Sequence, residues 1–264
     1  MLRTLLGAAA IFLLSNPALA QVDPFEFDVY PYETLGKGVI NFESLNSVVA
    51  KGHNRPRGGR FASNLMFRTA LEVSYGLTDK IEAAAYLNLA RPNGSGSFQY
   101  AGSKFRLQGS LFEHGELPLD VGWYAELAWQ RTPEFGENQL EVDLRPIIEK
   151  DIGRFSLVLN PKFEKAIFVG PNRNRGFEFG YVAGLYYRYL DWLSPGVEFY
   201  GGIGLIDDND PLSQQRHYVF PVLRGELPEG IEYNFGPGFG LTRRSDRVIT
   251  KFNLELGRFI GAMF

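Results

Sequence analysis

Residues 65–89 read LMFRTALEVSYGLTDKIEAAAYLNL. Leu65, Phe67, Thr69, Leu71, Val73 and Tyr75 alternate with Met66, Arg68, Ala70, Glu72 and Ser74. After Gly76-Leu77-Thr78-Asp79-Lys80 the alternation resumes, with Ile81, Ala83, Ala85, Leu87 and Leu89 set against Glu82, Ala84, Tyr86 and Asn88. A period of two on both sides of a Gly/Asp turn predicts a hairpin of two long β-strands. One face is continuously apolar; the other carries charge in mid-strand. A soluble sandwich can share that pattern. What decides is that it repeats to the end of the chain, behind a secretion signal.

The signal is Arg3, the apolar run 5–14, Pro17 and Ala18-Leu19-Ala20, which predicts a secretory peptide over 1–20 cut before Gln21. The run is too short to span a bilayer as a helix, and no later stretch is long and uncharged enough to do so. Residues 21–37, with Pro24 and Pro31, read as a periplasmic N-terminal segment packed under a barrel formed by 38–264. Composition favours strands, with 22 Phe, 13 Tyr and 30 Gly against 3 Met. The chain has no cysteine, which excludes disulfides, thiolate metal sites, a cysteine nucleophile and an acylated anchor. A net charge of -3 argues against a nucleic-acid partner. Mean hydropathy of -0.14 suits a barrel whose polar lumen offsets its lipid face.

Alternating segments continue along the chain to about twelve strands. Tight connections at 76–80, 113–118, 150–154, 190–195 and 227–230 alternate with longer ones at 51–64, 90–98, 132–138, 168–176, 206–215 and 242–247. An even strand number with alternating short turns and long loops predicts an all-β fold: a transmembrane antiparallel up-and-down β-barrel. A lysine or arginine on the lipid face at mid-bilayer costs about 2–4 kcal/mol. Nearly all mid-strand charges share the register opposite the apolar one. Arg131 and Lys165 break it only at strand ends, where they can snorkel. Trp123, Trp129, Phe155, Phe168, Phe177, Tyr189 and Trp192 also fall near strand ends, as interfacial girdles require. Pro146, Pro161, Pro221 and Pro237 lie inside strands, where bulges are expected.

Around Tyr75-Gly76-Leu77-Thr78-Asp79-Lys80-Ile81-Glu82, and in whole-chain architecture, the sequence resembles Gram-negative outer-membrane transporters of the phenol-degradation MetA-pathway type. The resemblance implies a barrel and uptake of small solutes, and brings no catalytic residues with it. A terminal aromatic, here Phe264, is common in outer-membrane barrels and is read by the barrel-assembly machinery.

The register opposite the lipid face nominates lumen-lining residues. The acidic ones are Glu72, Glu82, Glu126, Glu141, Asp143, Glu164, Glu178, Glu198 and Glu255. The basic ones are Arg68, Lys104, Arg106, Arg145, Lys162, Arg188, Arg224 and Lys251. Twelve strands give a backbone radius of roughly 12 Å, so long side chains from opposite walls nearly meet. Two readings follow: a narrow charged channel for small solutes, or a plugged structural or adhesive interior. Lumen glycines at 122, 180, 184, 202 and 204 lean toward the channel. Basic residues crowd the long loops (Lys51, Arg55, Arg57, Arg60, Arg173, Arg175, Arg243, Arg244, Arg247), which suits lipopolysaccharide phosphates. A third reading is a lipid hydrolase built on His217 and Ser213, the only remotely suitable pair. Asp207-Asp208-Asn209-Asp210 lacks the spacing and glycine of a calcium loop. No catalytic residue, metal ligand or cofactor is expected.

Overall fold

The computed structural model describes residues 22–56, 60–131, 134–135, 138–169, 176–190, 192–228 and 230–260. The expected signal peptide over 1–20, the loop arginines 57, 173 and 175 and the terminal Phe264 lie outside them. Twelve strands follow one another: β1 (Val39–Lys51), β2 (Phe67–Thr78), β3 (Ile81–Arg91), β4 (Gln99–Ser110), β5 (Asp120–Gln130), β6 (Gln139–Ile152), β7 (Phe155–Val169), β8 (Glu178–Tyr187), β9 (Ser194–Leu205), β10 (Arg216–Glu226), β11 (Glu232–Gly240) and β12 (Val248–Ile260). Each pairs antiparallel with its neighbour in sequence, and β1 closes on β12. The closed ring leaves no unpaired strand edge.

Every strand contributes an exposed apolar side chain to the outer wall: Phe42, Leu71, Leu87, Phe105, Leu127, Leu144, Leu157, Leu185, Phe199, Leu223, Phe235 and Leu254. A band of this kind is too large for a monomer surface in water and fits a hydrocarbon layer. Five short turns gather at one end of the barrel, with the start of β1 and the end of β12. The longer loops gather at the other.

The in-strand prolines make no bulges. The β6–β7 pairing runs from Leu144↔Phe163 to Ile148↔Leu159 in one register, and that register sets Pro146 opposite Pro161. Likewise Val219↔Phe239 and Leu223↔Phe235 set Pro221 opposite Pro237. Each ladder gap therefore takes two residues without N–H at one site, and leaves no donor facing a proline. Register shifts occur elsewhere, for example at Asn88/Leu89 and Phe179/Gly180.

The N-terminal segment is not beneath the barrel. Residues 22–37 run up the inside, from Gly38 at the turn end to Val22 near the long loops. Gly38 takes a left-handed φ of 80° and donates its N–H to Gly76 O at 2.8 Å. A Cβ on Gly76 would lie 2.0 Å from Gly36 O, so only glycine lets the segment pass this close to β2.

Candidate functional site

The interior is built by the inward register of all twelve strands. Arg68, Glu72, Glu82, Lys104, Arg106, Glu126, Asp143, Arg145, Lys162, Glu164, Glu198 and Lys251 point inward and are buried. Glu141, Glu178, Arg224 and Glu255 are half-buried, whereas Arg188 lies exposed at the turn-end rim and donates to Asp151 Oδ2 at 2.6 Å. These charges are cross-linked. Arg106 Nη2 bridges Glu72 at 2.8 Å and Glu82 at 2.7 Å. Lys162 meets Glu164 at 2.8 Å and Asp143 at 3.4 Å, and Arg68 meets Glu134 at 2.6 Å. Lys251 pairs with Glu198, both fully buried, while Tyr200, Tyr186 and Asn234 donate to the same carboxylate. Desolvating so many charges is offset only by such pairing and hydrogen bonding.

The 22–37 segment occupies the middle of this network. Glu26 accepts from Lys104 and from Arg145 Nη1, the latter at 2.7 Å. Asp23 meets Lys104 at 2.5 Å. Phe27 packs against Tyr200, Tyr218 and Phe220 at ring distances of 5.3, 5.5 and 4.9 Å. Its carbonyl accepts from Lys251 Nζ at 2.9 Å and Asn253 Nδ2 at 3.2 Å. Asn160 grips the Tyr30 backbone through both its amide and its carbonyl, each at 3.0 Å. The amides of Tyr32 and Leu35 donate to Glu149 and Glu82, both at 2.8 Å. Among the described residues, the backbone–backbone bonds at the base of the segment are Gly38 N–H to Gly76 O at 2.8 Å and Val39 N–H to Gly36 O at 3.1 Å.

Inward-facing Ile147, Tyr186, Tyr200, Tyr218, Phe220, Val222 and Ile249 fall outside the nominated lumen residues, and with Tyr124, which shares the register of Glu126, they form apolar patches around the segment. The signal was available, since a purely aqueous lumen has no use for inward aromatics. Of the lumen glycines Gly184 serves one of these rings, whereas a Cβ on Gly122 or Gly180 would lie 2.8 Å from the carbonyl of Gly109 or Gly201. A Cβ on Gly184 would lie 2.5 Å from the Tyr186 hydroxyl, and one on Gly238 would lie 2.2 Å from the Phe220 ring.

A space lies on each side of the segment. At the turn end a chamber of about 530 Å³ is lined by ten carboxylates, three arginines and His114, counted among the described residues. At the loop end a pocket of about 50 Å³ lies among Arg55, Arg60, Arg68, Arg216, Arg244, Glu134 and Asp246. Burial, with Arg216 close by, holds the Arg60 guanidinium below its ordinary value, though still charged at neutral pH. The interior is thus acidic at one end and basic at the other.

His217 Nδ1 meets the Tyr181 hydroxyl at 3.0 Å and Nε2 meets Gln215 Oε1 at 2.7 Å. Both ring nitrogens are engaged, and the hydroxyl bonded to the His217 backbone is that of Ser245, not Ser213. Among the described residues no group of three His, Asp or Glu side chains gathers to hold a metal ion, the 207–210 loop included.

No family model matches the chain, and no curated protein matches it by sequence. Its fold is similar to that of an outer membrane channel from Pseudomonas putida F1, with a TM-score of 0.62 at 13% identity, over 89% of this chain and 100% of that one. Outer membrane phospholipase A from Escherichia coli gives a TM-score of 0.45 at 8% identity over 87% and 94%. A TodX monoaromatic hydrocarbon channel variant gives 0.42 at 10% identity over 84% and 90%. At these identities the likeness is one of fold.

Proposed function

We propose that this barrel sits in the outer membrane of a Gram-negative cell, after removal of a signal peptide near Ala20, and passes small solutes through its charge-lined lumen. Residues 22–37 are the closure. The observation that carries this reading is how the closure is held. Between the acidic chamber and the basic pocket runs an extended segment attached by side chains and two hydrogen bonds at its hinge, outside the strand ladder. Such a segment can leave without opening the barrel. The similarly folded Pseudomonas protein being an outer membrane channel agrees with this. With the turns and the base of β1 toward the periplasm, the basic loops meet lipopolysaccharide phosphates and the outer wall meets lipid. Assembly by the barrel-assembly machinery follows from the same placement.

A second reading, a permanently plugged structural barrel, is favoured by one observation: Phe27 is buried in an aromatic cluster inside the lumen. Planar-bilayer conductance separates the two. The intact protein is expected to open rarely, and a variant lacking 22–36 to conduct in discrete steps that change when Lys104 and Arg106 are neutralised. A deletion variant that still shifts on heating, as a folded barrel does, but stays silent would establish the plugged reading. A hydrolase is disfavoured by the engagement of His217. Lipase activity that His217→Ala abolished would reinstate it.

A further inference from the structure

The loop-end pocket gathers side chains from five separate stretches. Arg55 and Arg60 come from the β1–β2 loop, Arg68 from β2, Glu134 from the β5–β6 loop, Arg216 from the start of β10 and Asp246 from the β11–β12 loop. Four guanidinium groups thus face two carboxylates. Arg244 is also on the wall, but it has a contact of its own and stays outside this count. The undescribed residues of the long loops add three arginines and one carboxylate, Glu137, so they do not reverse the sign. Arg60 registers the crowding: burial first, and then Arg216, lower its pKa. Like charges gathered away from water are costly to a fold unless something of opposite charge joins them.

A separate observation points to what arrives. Arg68 is 5% exposed and gives its Nε to Glu134 Oε1 at 2.6 Å, which leaves Nη1 buried with no acceptor among the described residues. Nε of Arg216 is a second buried donor without one. Arg60 is held in place by its own Nε, which donates to Phe135 O at 3.1 Å. Glu134, also 5% exposed, has the opposite need: its Oε2 is a buried acceptor with no donor among the described residues. The wall therefore offers spare N–H groups on two arginines and one spare carboxylate oxygen.

Size, charge and donor pattern select the ligand. The space of about 50 Å³ is larger than one water needs and admits a single small oxyanion. Guanidinium groups recognise the oxygens of carboxylate and phosphate. A carboxylate presents its oxygens in one plane, whereas these arginines come from strands four places apart around the ring and from a loop, which suits a tetrahedral anion. Four guanidinium groups against two carboxylates suit a dianion. The spare oxygen of Glu134 chooses among dianions. Hydrogenphosphate carries one O–H and can donate it there; sulfate and the dianion of a phosphate monoester carry none and meet that carboxylate as a like charge. We propose that the loop-end pocket binds free hydrogenphosphate, its oxygens on Arg68 Nη1, Arg216 Nε and the Arg60 guanidinium and its hydroxyl donating to Glu134 Oε2. The proposal concerns binding alone and holds whether or not the lumen conducts.

The test is calorimetric titration of the refolded full-length mature protein in detergent with inorganic phosphate, sulfate and glycerol phosphate, at matched ionic strength and a mildly alkaline pH where all three are dianions. Phosphate is expected to bind more tightly than either of the others, by about tenfold or more. Arg216→Gln should weaken phosphate roughly 10- to 100-fold, because one charge-assisted contact is lost. Glu134→Gln should weaken phosphate, strengthen sulfate and abolish the preference between them, a change of selectivity that loss of packing alone does not produce. The heat-shifted gel band checks that each variant is folded, and Arg216→Gln, at the half-buried start of β10, serves if Glu134→Gln misfolds. Arg243→Gln removes an exposed arginine at the same end of the barrel and should leave binding unchanged. Sulfate or glycerol phosphate binding the parent as tightly as phosphate, no phosphate binding at all, or Arg216→Gln binding phosphate like the parent would overturn the proposal.

Discussion

Glu26→Gln is the sharpest probe of the closure. Glu26 is 4% exposed and is the segment residue that meets both Lys104 and Arg145. Removing one partner of a buried ion pair typically costs about 3–5 kcal/mol. Here Lys104 keeps Asp23 at 2.5 Å and Glu126 at 3.5 Å, and Arg145 keeps Asp143 at 2.7 Å. Glutamine also retains a carbonyl acceptor. The expected loss is therefore smaller, about 2–3 kcal/mol. Because the barrel wall is unchanged, that loss falls on the segment's docked state alone. It should raise the open-to-closed ratio roughly 30- to 150-fold. The readout is the fraction of time open in single-channel recordings of parent and variant at one salt concentration. If deletion of 22–36 opens the barrel but Glu26→Gln gates like the parent, the ion pairs do not hold the closure and the reasoning fails.

Other consequences are independent of that one. Lys251→Met strands Glu198 in a fully buried site, and should lower stability by about 3–5 kcal/mol, read as a shifted urea midpoint. The double variant with Glu198→Leu should be less destabilised than Lys251→Met alone. Gly238→Ala places a Cβ 2.2 Å from the Phe220 ring, which in turn touches Phe27. A cost of about 1–3 kcal/mol and more frequent openings are expected together. Pro221→Val restores one N–H opposite Pro237, so it should stabilise by about 0.5–1.5 kcal/mol, and a destabilised variant would show that the facing prolines are not a shared ladder gap. Single cysteines at Arg55 or Arg243 should label on intact cells with a membrane-impermeant thiol reagent, and one at Asp79 should not. The absence of native cysteine makes the background clean.

The wall of the barrel was legible in the sequence because each strand has one face toward a uniform medium. Period two, set by residues such as Leu71 and Leu87 against Glu72 and Tyr86, survives in the chain as plain alternation. Twelve strands, the turn and loop ends and the inward charges all follow from that. The N-terminal segment was not legible, since it has no solvent side. Phe25, Phe27 and Val29 alternate with Glu26 and Asp28, yet the apolar set is enclosed in the lumen core and Glu26 is enclosed by Lys104 and Arg145. Nothing in a period of two separates this from an exposed lead-in. The signal lay in the wall, where Tyr200, Tyr218 and Phe220 face a lumen that water alone would not fill with rings. The facing prolines are illegible in the sequence for a related reason. Each looks like a defect alone, and only the register reveals Pro146 and Pro161 as partners.

Two kinds of contact hold this molecule, and they divide the work. The wall is held by twelve closed ladders, each lost only with the barrel itself. The closure is held by side chains: Asn160, Glu149, Glu82 and Asp79 on its amides, Lys251 and Asn253 on one carbonyl, and two cations on one carboxylate. Each of these is worth on the order of 1–3 kcal/mol and can be replaced by water or by solute. A segment meant only to fill the lumen would gain more from apolar packing throughout, since replacing buried ion pairs by hydrophobic residues is often neutral or stabilising. This segment has both kinds of contact: Phe25, Phe27, Tyr30 and Tyr32 are buried against barrel rings around an anchor at Phe27, and its polar attachments, hinged at Gly36 to Gly38, are of the kind a removable closure requires. The acidic chamber lies on the hinge side of that anchor. There Leu35 N–H is held by Glu82, which shares Arg106 with Glu72, so the base of the segment is fastened to the wall's own ion-pair network.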